Sequence, residues 1–135
     1  MDTHFYGTLA MVRAFAPVLA ANGGGAILNV LSALSWFSYD GANAYSAAKA
    51  AEWSLTNGVR LELRSQGTLV TGLHLGAANT DMMAGYEGDM LDPADVARVA
   101  LDGIEAGEIE VLVDEASAMV KASLSADPSL FYTQP

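Results

Sequence analysis

The sequence predicts an α/β fold: a short parallel sheet of about three strands with helices beside it. Three observations carry this. Helix-like and strand-like patterns alternate along the whole chain, helix first. Each strand candidate is a short continuous apolar run, as expected of parallel strands covered on both faces. Segments of helical length separate these runs, as right-handed crossovers between parallel strands require. The 135 residues, 52% of them hydrophobic, suffice for one domain with its own core.

Residues 3–21 read as the first helix. Phe5, Leu9, Val12, Ala16 and Leu19 recur at helical spacing, and Met11, Phe15 and Val18 form a second apolar stripe. So wide a face predicts burial on two sides, against a sheet and against another subunit. Asp2 or Thr3 can cap its start, Pro17 should bend or shorten its last turn, and Asn22-Gly23-Gly24-Gly25 ends it. That glycine run follows a helix and leads into a strand. A phosphate-binding fingerprint needs the reverse order, so the run reads as a connector.

Residues 26–31 (AILNVL) read as the first strand. The loop 32–44 carries Trp36, Phe37 and Tyr39, which either line a pocket or plug the core. The second helix spans 44–65, with Ala48, Ala51, Leu55, Val59 and Leu63 as its buried stripe and Gly67 as its stop. Residues 69–75 (LVTGLHL) form the second strand. His74 within it has no second ligand at metal spacing and reads as a structural histidine. A loop rich in Gly, Asp and Met covers 76–92. Pro93 then occupies the first position of a third helix that Gly107 ends. Residues 109–113 (IEVLV) are the third strand; a helix near 115–124 and a Pro-bearing tail complete the chain.

Composition narrows the function. The formal charge is −10, and twelve of the sixteen acids follow residue 80, against Arg98 and Lys121. A nucleic-acid partner bound through its phosphates is therefore not expected. No apolar run reaches the roughly 18 residues of a membrane span. The opening MDTHFYG lacks the basic stretch of a signal peptide. Cysteine is absent, which removes disulfides, thiolate metal sites and thiol catalysis. A cytoplasmic protein without a membrane partner is the expectation.

The chemistry-bearing stretch is residues 32–49. Tyr45 and Lys49 are four apart and share a helix face, and Ser32 follows the first strand. A strand end carrying Ser and a helix start carrying Tyr and Lys can converge on one point. Tyrosine is a poor proton donor or acceptor near neutrality, with a reference pKa of about 10, and a neighbouring ammonium stabilises its phenolate. A serine hydroxyl can hydrogen-bond the oxygen that gains or loses the proton. Such a set suits alcohol/carbonyl interconversion with the hydride carried elsewhere.

Ser32, Tyr45-Ser46-Ala47-Ala48-Lys49 and their spacing resemble the active site of the short-chain dehydrogenase/reductase family. Asn29-Val30-Leu31-Ser32 is similar to that family's strand ending Asn-Val-Ser-Ser. Leu75-Gly76-Ala77-Ala78-Asn79-Thr80 is similar to its Pro-Gly-x-x-x-Thr turn, with Leu in place of Pro. The resemblance covers the second half of a family domain. It implies the C-terminal part of a Rossmann-type doubly wound parallel sheet, as a single partial domain over 1–135 that lacks the N-terminal dinucleotide-binding half. It further implies an NAD- or NADP-dependent oxidoreductase. Tyr45 is then the general acid/base, Lys49 its partner and the ligand of the nicotinamide ribose, and Ser32 the residue that orients the substrate oxygen. Thr80 and the backbone near Gly76 and Ala78 would contact the nicotinamide amide.

Further expectations follow from the same resemblance. The loop 76–92 closes over substrate, and its Met82, Met83, Met90 and Leu91 suit a small, partly apolar alcohol or carbonyl compound. Helices 3–21 and 45–65 would pair with their copies in a homo-oligomer. His4 stands where a typical relative has Asn. The glycine-rich turn and the acid that holds the adenosine ribose belong to the half the resemblance does not cover, so strand 26–31 is expected to lack a neighbour and present an open, under-covered edge. The alternative reading is a truncated, non-catalytic dimerising remnant that cannot bind the dinucleotide alone.

Overall fold

The computed structural model of the chain describes residues 1–133. Its principal elements are α1 (Thr8–Ala21), β1 (Gly25–Val30), α2 (Asn43–Leu63), β2 (Thr68–His74), α3 (Pro93–Glu105), β3 (Glu110–Leu112), α4 (Glu115–Ala122) and α5 (Ser129–Tyr132). The three strands are parallel in the order β1-β2-β3, with Leu28 opposite Thr71 and Leu73 opposite Val111. The last two residues of the expected domain lie outside the described residues.

Side chains of β2 alternate between faces and divide the core in two. Val70 packs with Val12 of α1 and Val59 of α2, flanked by Ile27, Leu55 and Leu63. Leu73 packs on the other side with Leu75, Ala100 of α3 and Val111 of β3. Helices therefore cover both faces of the central strand, as a parallel sheet demands. Arg60 of α2 locks this layer to the sheet: its Nε donates to the Val70 carbonyl at 2.9 Å and its Nη2 to the Ile109 carbonyl at 2.8 Å.

Two expectations are corrected. The chain does not enter its first helix through a side-chain cap at Asp2 or Thr3. Residues Asp2–Gly7 form a wider helical turn in which the Met1 carbonyl accepts from both Phe5 and Tyr6, so these donors are already satisfied. Pro17 lies inside α1, which ends at Ala21, the expected stop. The buried side of α2 is not the small apolar stripe alone: Ser46, Lys49, Glu52 and Thr56 are buried with Ala48 and Val59, while Ala51, Leu55 and Leu63 are partly buried. Lys49, Glu52 and Thr56 tolerate burial because they are paired; Thr56 Oγ1, for example, accepts from Asn29 Nδ2 at 3.0 Å and donates to the Glu52 carbonyl at 2.8 Å. The first strand, β1, has the open and under-covered edge expected of it. Only Asn29 of its six residues is buried, because β1 is an edge strand with β2 as its single neighbour.

The glycine connectors have a steric reason. Gly24 has φ +114°, and a Cβ there would stand 2.5 Å from the Gly67 carbonyl oxygen. That contact brings the starts of β1 and β2 into register, with Gly25 N–H donating to Gly67 at 3.3 Å.

Candidate functional site

The site lies at the C-terminal ends of β1 and β2. Past β1 the chain reaches Ser32, extended at φ −154° and ψ 155°, whose Oγ accepts from Leu34 N–H at 3.0 Å and caps a short helical turn, Ala33–Ser35. That bond uses the hydroxyl as an acceptor and leaves its hydrogen free to donate. Leu31 and Ala33 are tied to β2 and its continuation through N–H bonds to Leu73 and Leu75 at 2.7 and 3.0 Å, so Ser32 stands on paired backbone.

Tyr45 is the third residue of α2, and Lys49 lies one turn further on the same side. The Lys49 ammonium sits 5.9 Å from the Tyr45 ring centre. His4 packs edge-on against the same ring, with centres 5.3 Å apart. Burial, and after it the Lys49 charge, holds His4 below the ordinary imidazole range; Glu52 opposes this. Lys49 is buried and donates to the Val30 carbonyl at 2.9 Å and to Glu52 Oε2 at 3.0 Å.

All six residues singled out in the sequence meet in one place. Ser32, Tyr45, Lys49, Gly76, Ala78 and Thr80 line a single cavity of about 180 Å³, together with His4. Ser32, Tyr45 and Gly76 also line an adjoining cavity of about 430 Å³, walled by Leu34, Tyr39, Ala42, Met82, Met83 and Tyr86. The aromatic loop thus divides its labour. Tyr39 borders the cavity, whereas Trp36 is buried as a plug, stacked on His74 at 3.9 Å. Phe37 stacks on Tyr132, whose hydroxyl accepts from Ser38 N–H at 3.3 Å.

The turn after β2 is pinned from below. Gly76 N–H donates to Asp114 Oδ2 at 2.9 Å, and a Cβ at Gly76 would stand 2.8 Å from that oxygen. Leu91 N–H bonds to the Ala77 carbonyl and Asn79 N–H to the Leu91 carbonyl, which brackets Ala78. Three residues of this site escaped the sequence reading: Glu52, Thr8 and Asp114. Thr8 Oγ1 donates to Glu52 Oε1 at 2.8 Å, completing a chain from α1 through Glu52 to Lys49. Glu52 had one signal, an acid amid the apolar stripe of its helix. Asp114 had another, a capping residue ahead of a helix, which its bond from Ser117 N–H confirms.

Comparison with known proteins identifies the family of the chain. The sequence profile of the short chain dehydrogenase family matches residues 1–91. The chain belongs to that family. An uncharacterized oxidoreductase of Staphylococcus aureus (strain MW2) is 32% identical over 104 residues, 75% of this chain and 45% of that protein. One of Mycobacterium tuberculosis (strain H37Rv) is 31% identical over 113 residues, 83% of this chain and 45% of that protein. The chain spans about half the length of the curated relatives it matches. Among solved structures, a short chain dehydrogenase from Burkholderia cenocepacia J2315 in complex with NADP superposes with a TM-score of 0.89 at 32% identity, covering 96% of this chain and 56% of that one. One from Sphingobium yanoikuyae in complex with NADPH shares the fold, with a TM-score of 0.75 at 23% identity over 94% of this chain. The three-stranded parallel sheet and its helices are therefore part of a Rossmann-type α/β fold. Among the described residues, no helix is long and apolar enough to cross a membrane.

Proposed function

We propose that this chain carries the proton-transfer half of an NAD- or NADP-dependent oxidoreductase that interconverts an alcohol and a carbonyl compound. The observation that carries the reading is the convergence of Ser32, Tyr45, Lys49, Gly76, Ala78 and Thr80 on one cavity. Its donor set suits the nicotinamide-ribose end of such a cofactor. Lys49 has three N–H donors and commits two of them, to Val30 and Glu52; the third is left for a ribose hydroxyl. Ala78, bracketed but unbonded in its bridge to Leu91, and Thr80 offer polar groups to a carboxamide. The pyrophosphate end is not matched: among the described residues, no strand leads through a glycine-rich turn into a helix N-terminus.

The nicotinamide, when bound, supplies or takes the hydride. The chain's own residues handle the proton. The Ser32 hydroxyl, its oxygen already accepting from Leu34, donates to the substrate oxygen and orients it. Tyr45 gives its phenolic proton to that oxygen in reduction and takes it back in oxidation. The phenolate left behind lies near the N-terminus of α2 and the Lys49 ammonium, and both offset negative charge. The adjoining cavity has a mainly apolar wall that suits a small, partly apolar substrate.

One observation favours a second reading, a dimerising remnant without catalysis: the pyrophosphate lacks a seat among the described residues. Titration of NADH and NADPH into the purified chain, read by nicotinamide fluorescence, separates the two. Saturable binding that is lost in Lys49→Ala supports the oxidoreductase. Absence of binding with both nucleotides leaves the remnant.

A further inference from the structure

We infer that Glu52, held by Thr8, is a positioning residue that fixes the Lys49 ammonium beneath Tyr45. This rests on the oxidoreductase reading of the cavity, because it is there that the place of Lys49 matters to the chemistry. Glu52 is 4% exposed, yet both of its carboxylate oxygens are used. Oε2 accepts from Lys49 Nζ at 3.0 Å, and Oε1 accepts from Thr8 Oγ1 at 2.8 Å. A buried carboxylate with two charge-matched or polar partners is fixed in direction, and it fixes its partners in turn.

The consequence falls on Lys49. A lysine side chain has four rotatable bonds and a point charge, so alone it samples many places. Here the ammonium is caught between two acceptors from different elements, the Val30 carbonyl at the end of β1 and the Glu52 carboxylate on α2. With two of its N–H groups spent there, its remaining freedom is rotation about an anchored nitrogen. Thr8 adds the third element. Through it, α1 is tied to the same carboxylate, and α1 follows directly on the turn that carries His4 to the Tyr45 ring. His4, Thr8, Lys49 and Glu52 share the wall of one groove between α1 and β1.

The charge of the unit follows as well. Lys49 and Glu52 together are neutral, so the Tyr45 oxygen experiences a fixed dipole and not an isolated cation. Position then matters more than net charge: a dipole's field falls off faster with distance than a single charge's, and a small displacement of the ammonium costs more of it.

The chain has two lysines, Lys49 and Lys121, which makes the test direct. In the full chain labelled with [15N]lysine, the side-chain ammonium signal of Lys49 is assigned by its absence in Lys49→Arg. A buried, doubly bonded ammonium exchanges its protons slowly and gives a sharp signal at neutral pH. Glu52→Leu should abolish that signal and weaken NADPH binding about tenfold, the loss expected for one charged hydrogen bond. Glu52→Gln, which keeps an acceptor, should restore part of both. An unchanged signal, or unchanged NADPH affinity, in a Glu52→Leu chain with native circular dichroism overturns the inference. If Glu52→Leu does not fold, Thr8→Val takes its place: it should broaden the Lys49 signal with helix content intact, and a signal as sharp as wild type overturns the clamp. A wild-type chain that binds no NADPH refutes the oxidoreductase reading instead, and the ammonium signal still decides whether the clamp exists.

Discussion

His74 Nδ1 lies 3.2 Å from the backbone carbonyl oxygen of Ser32. A carbonyl can only accept, so Nδ1 carries the hydrogen and Nε2 presents a lone pair. That lone pair faces Glu110 Oε2 at 3.6 Å and has no donor. Trp36 covers the ring by stacking, and Glu110 is in turn bound by Trp53 Nε1 and Lys121. The histidine of β2 therefore holds the backbone on which Ser32 stands, and burial keeps its ring neutral.

A pH dependence follows. Burial pushes the His74 pKa down to about 4, against the opposing effect of the Ser32 carbonyl. In the unfolded chain the ring titrates near its ordinary value of about 6.5. The folded value is the lower one, so between these limits the unfolded state binds a proton that the folded state refuses. Stability is complete above about pH 6.5 and falls as pH drops toward 4, by about 3 kcal/mol from this group. Urea unfolding across that range measures it. His74→Phe, which keeps a ring against Trp36, should flatten the profile by that amount. An equal slope in the variant rules out His74 as its source.

Tyr45→Phe removes one hydroxyl from a half-exposed ring and leaves its contacts with His4 and Lys49 in place. If Tyr45 is the proton donor, turnover of any accepted ketone should fall at least about a hundredfold, the usual worth of general acid/base catalysis. NADPH affinity should stay near wild type. Steady-state kinetics beside a fluorescence titration checks both, and a variant with wild-type turnover removes Tyr45 from its role.

Much of this was legible because periodicity and turn residues leave local marks. The order of strands and helices, the connector at Gly23–Gly25 and the Pro93 helix start are all dictated within a few residues of themselves. The site was legible for a similar reason: Ser32, Tyr45 and Lys49 lie within one strand–loop–helix unit. What stayed hidden depends on partners distant in sequence. Glu52 is buried because Thr8, 44 residues away, answers its second oxygen. Gly76 is held by Asp114 from the far side of α3. Trp36 became a plug only because His74 arrived beneath it. The open edge of β1 leaves no mark in its own apolar run; it was legible from which strands the chain holds, with β2 as the neighbour of β1.

That edge and the outer stripe of α1 predict self-association. Met11, Phe15 and Val18 each leave about half of their surface exposed, and Leu61 of α2 leaves 73%. Apolar groups grouped at helical spacing on a surface mark an interface. The chain should sediment as a dimer or larger, and Phe15→Lys should shift it toward monomer. Multi-angle light scattering on both proteins decides this, and a wild-type chain that is monomeric at high concentration excludes the interface.

Asp114 couples the cavity's turn to the C-terminal part of the chain. One carboxylate serves two elements: Oδ2 accepts from Gly76 N–H, and Oδ1 accepts from Ser117 N–H to cap α4. Asp114→Ala removes both bonds. The lost cap alone should cost about 1 kcal/mol. The freed Gly76 amide should also let the turn through Thr80 open more often. Amide exchange at Ala78 and Asn79 should then quicken while that of β2 does not. Gly76→Ala approaches the same contact from the other side, because its Cβ would crowd Oδ2 at 2.8 Å. The two changes strike one interaction, so they should not add. Once Asp114 is alanine, nothing remains for the Gly76 Cβ to meet at that spot, and the second substitution should cost markedly less than it does alone. A double-mutant cycle in urea reads the difference directly. Strict additivity would mean that Asp114 caps its helix and does nothing for the site.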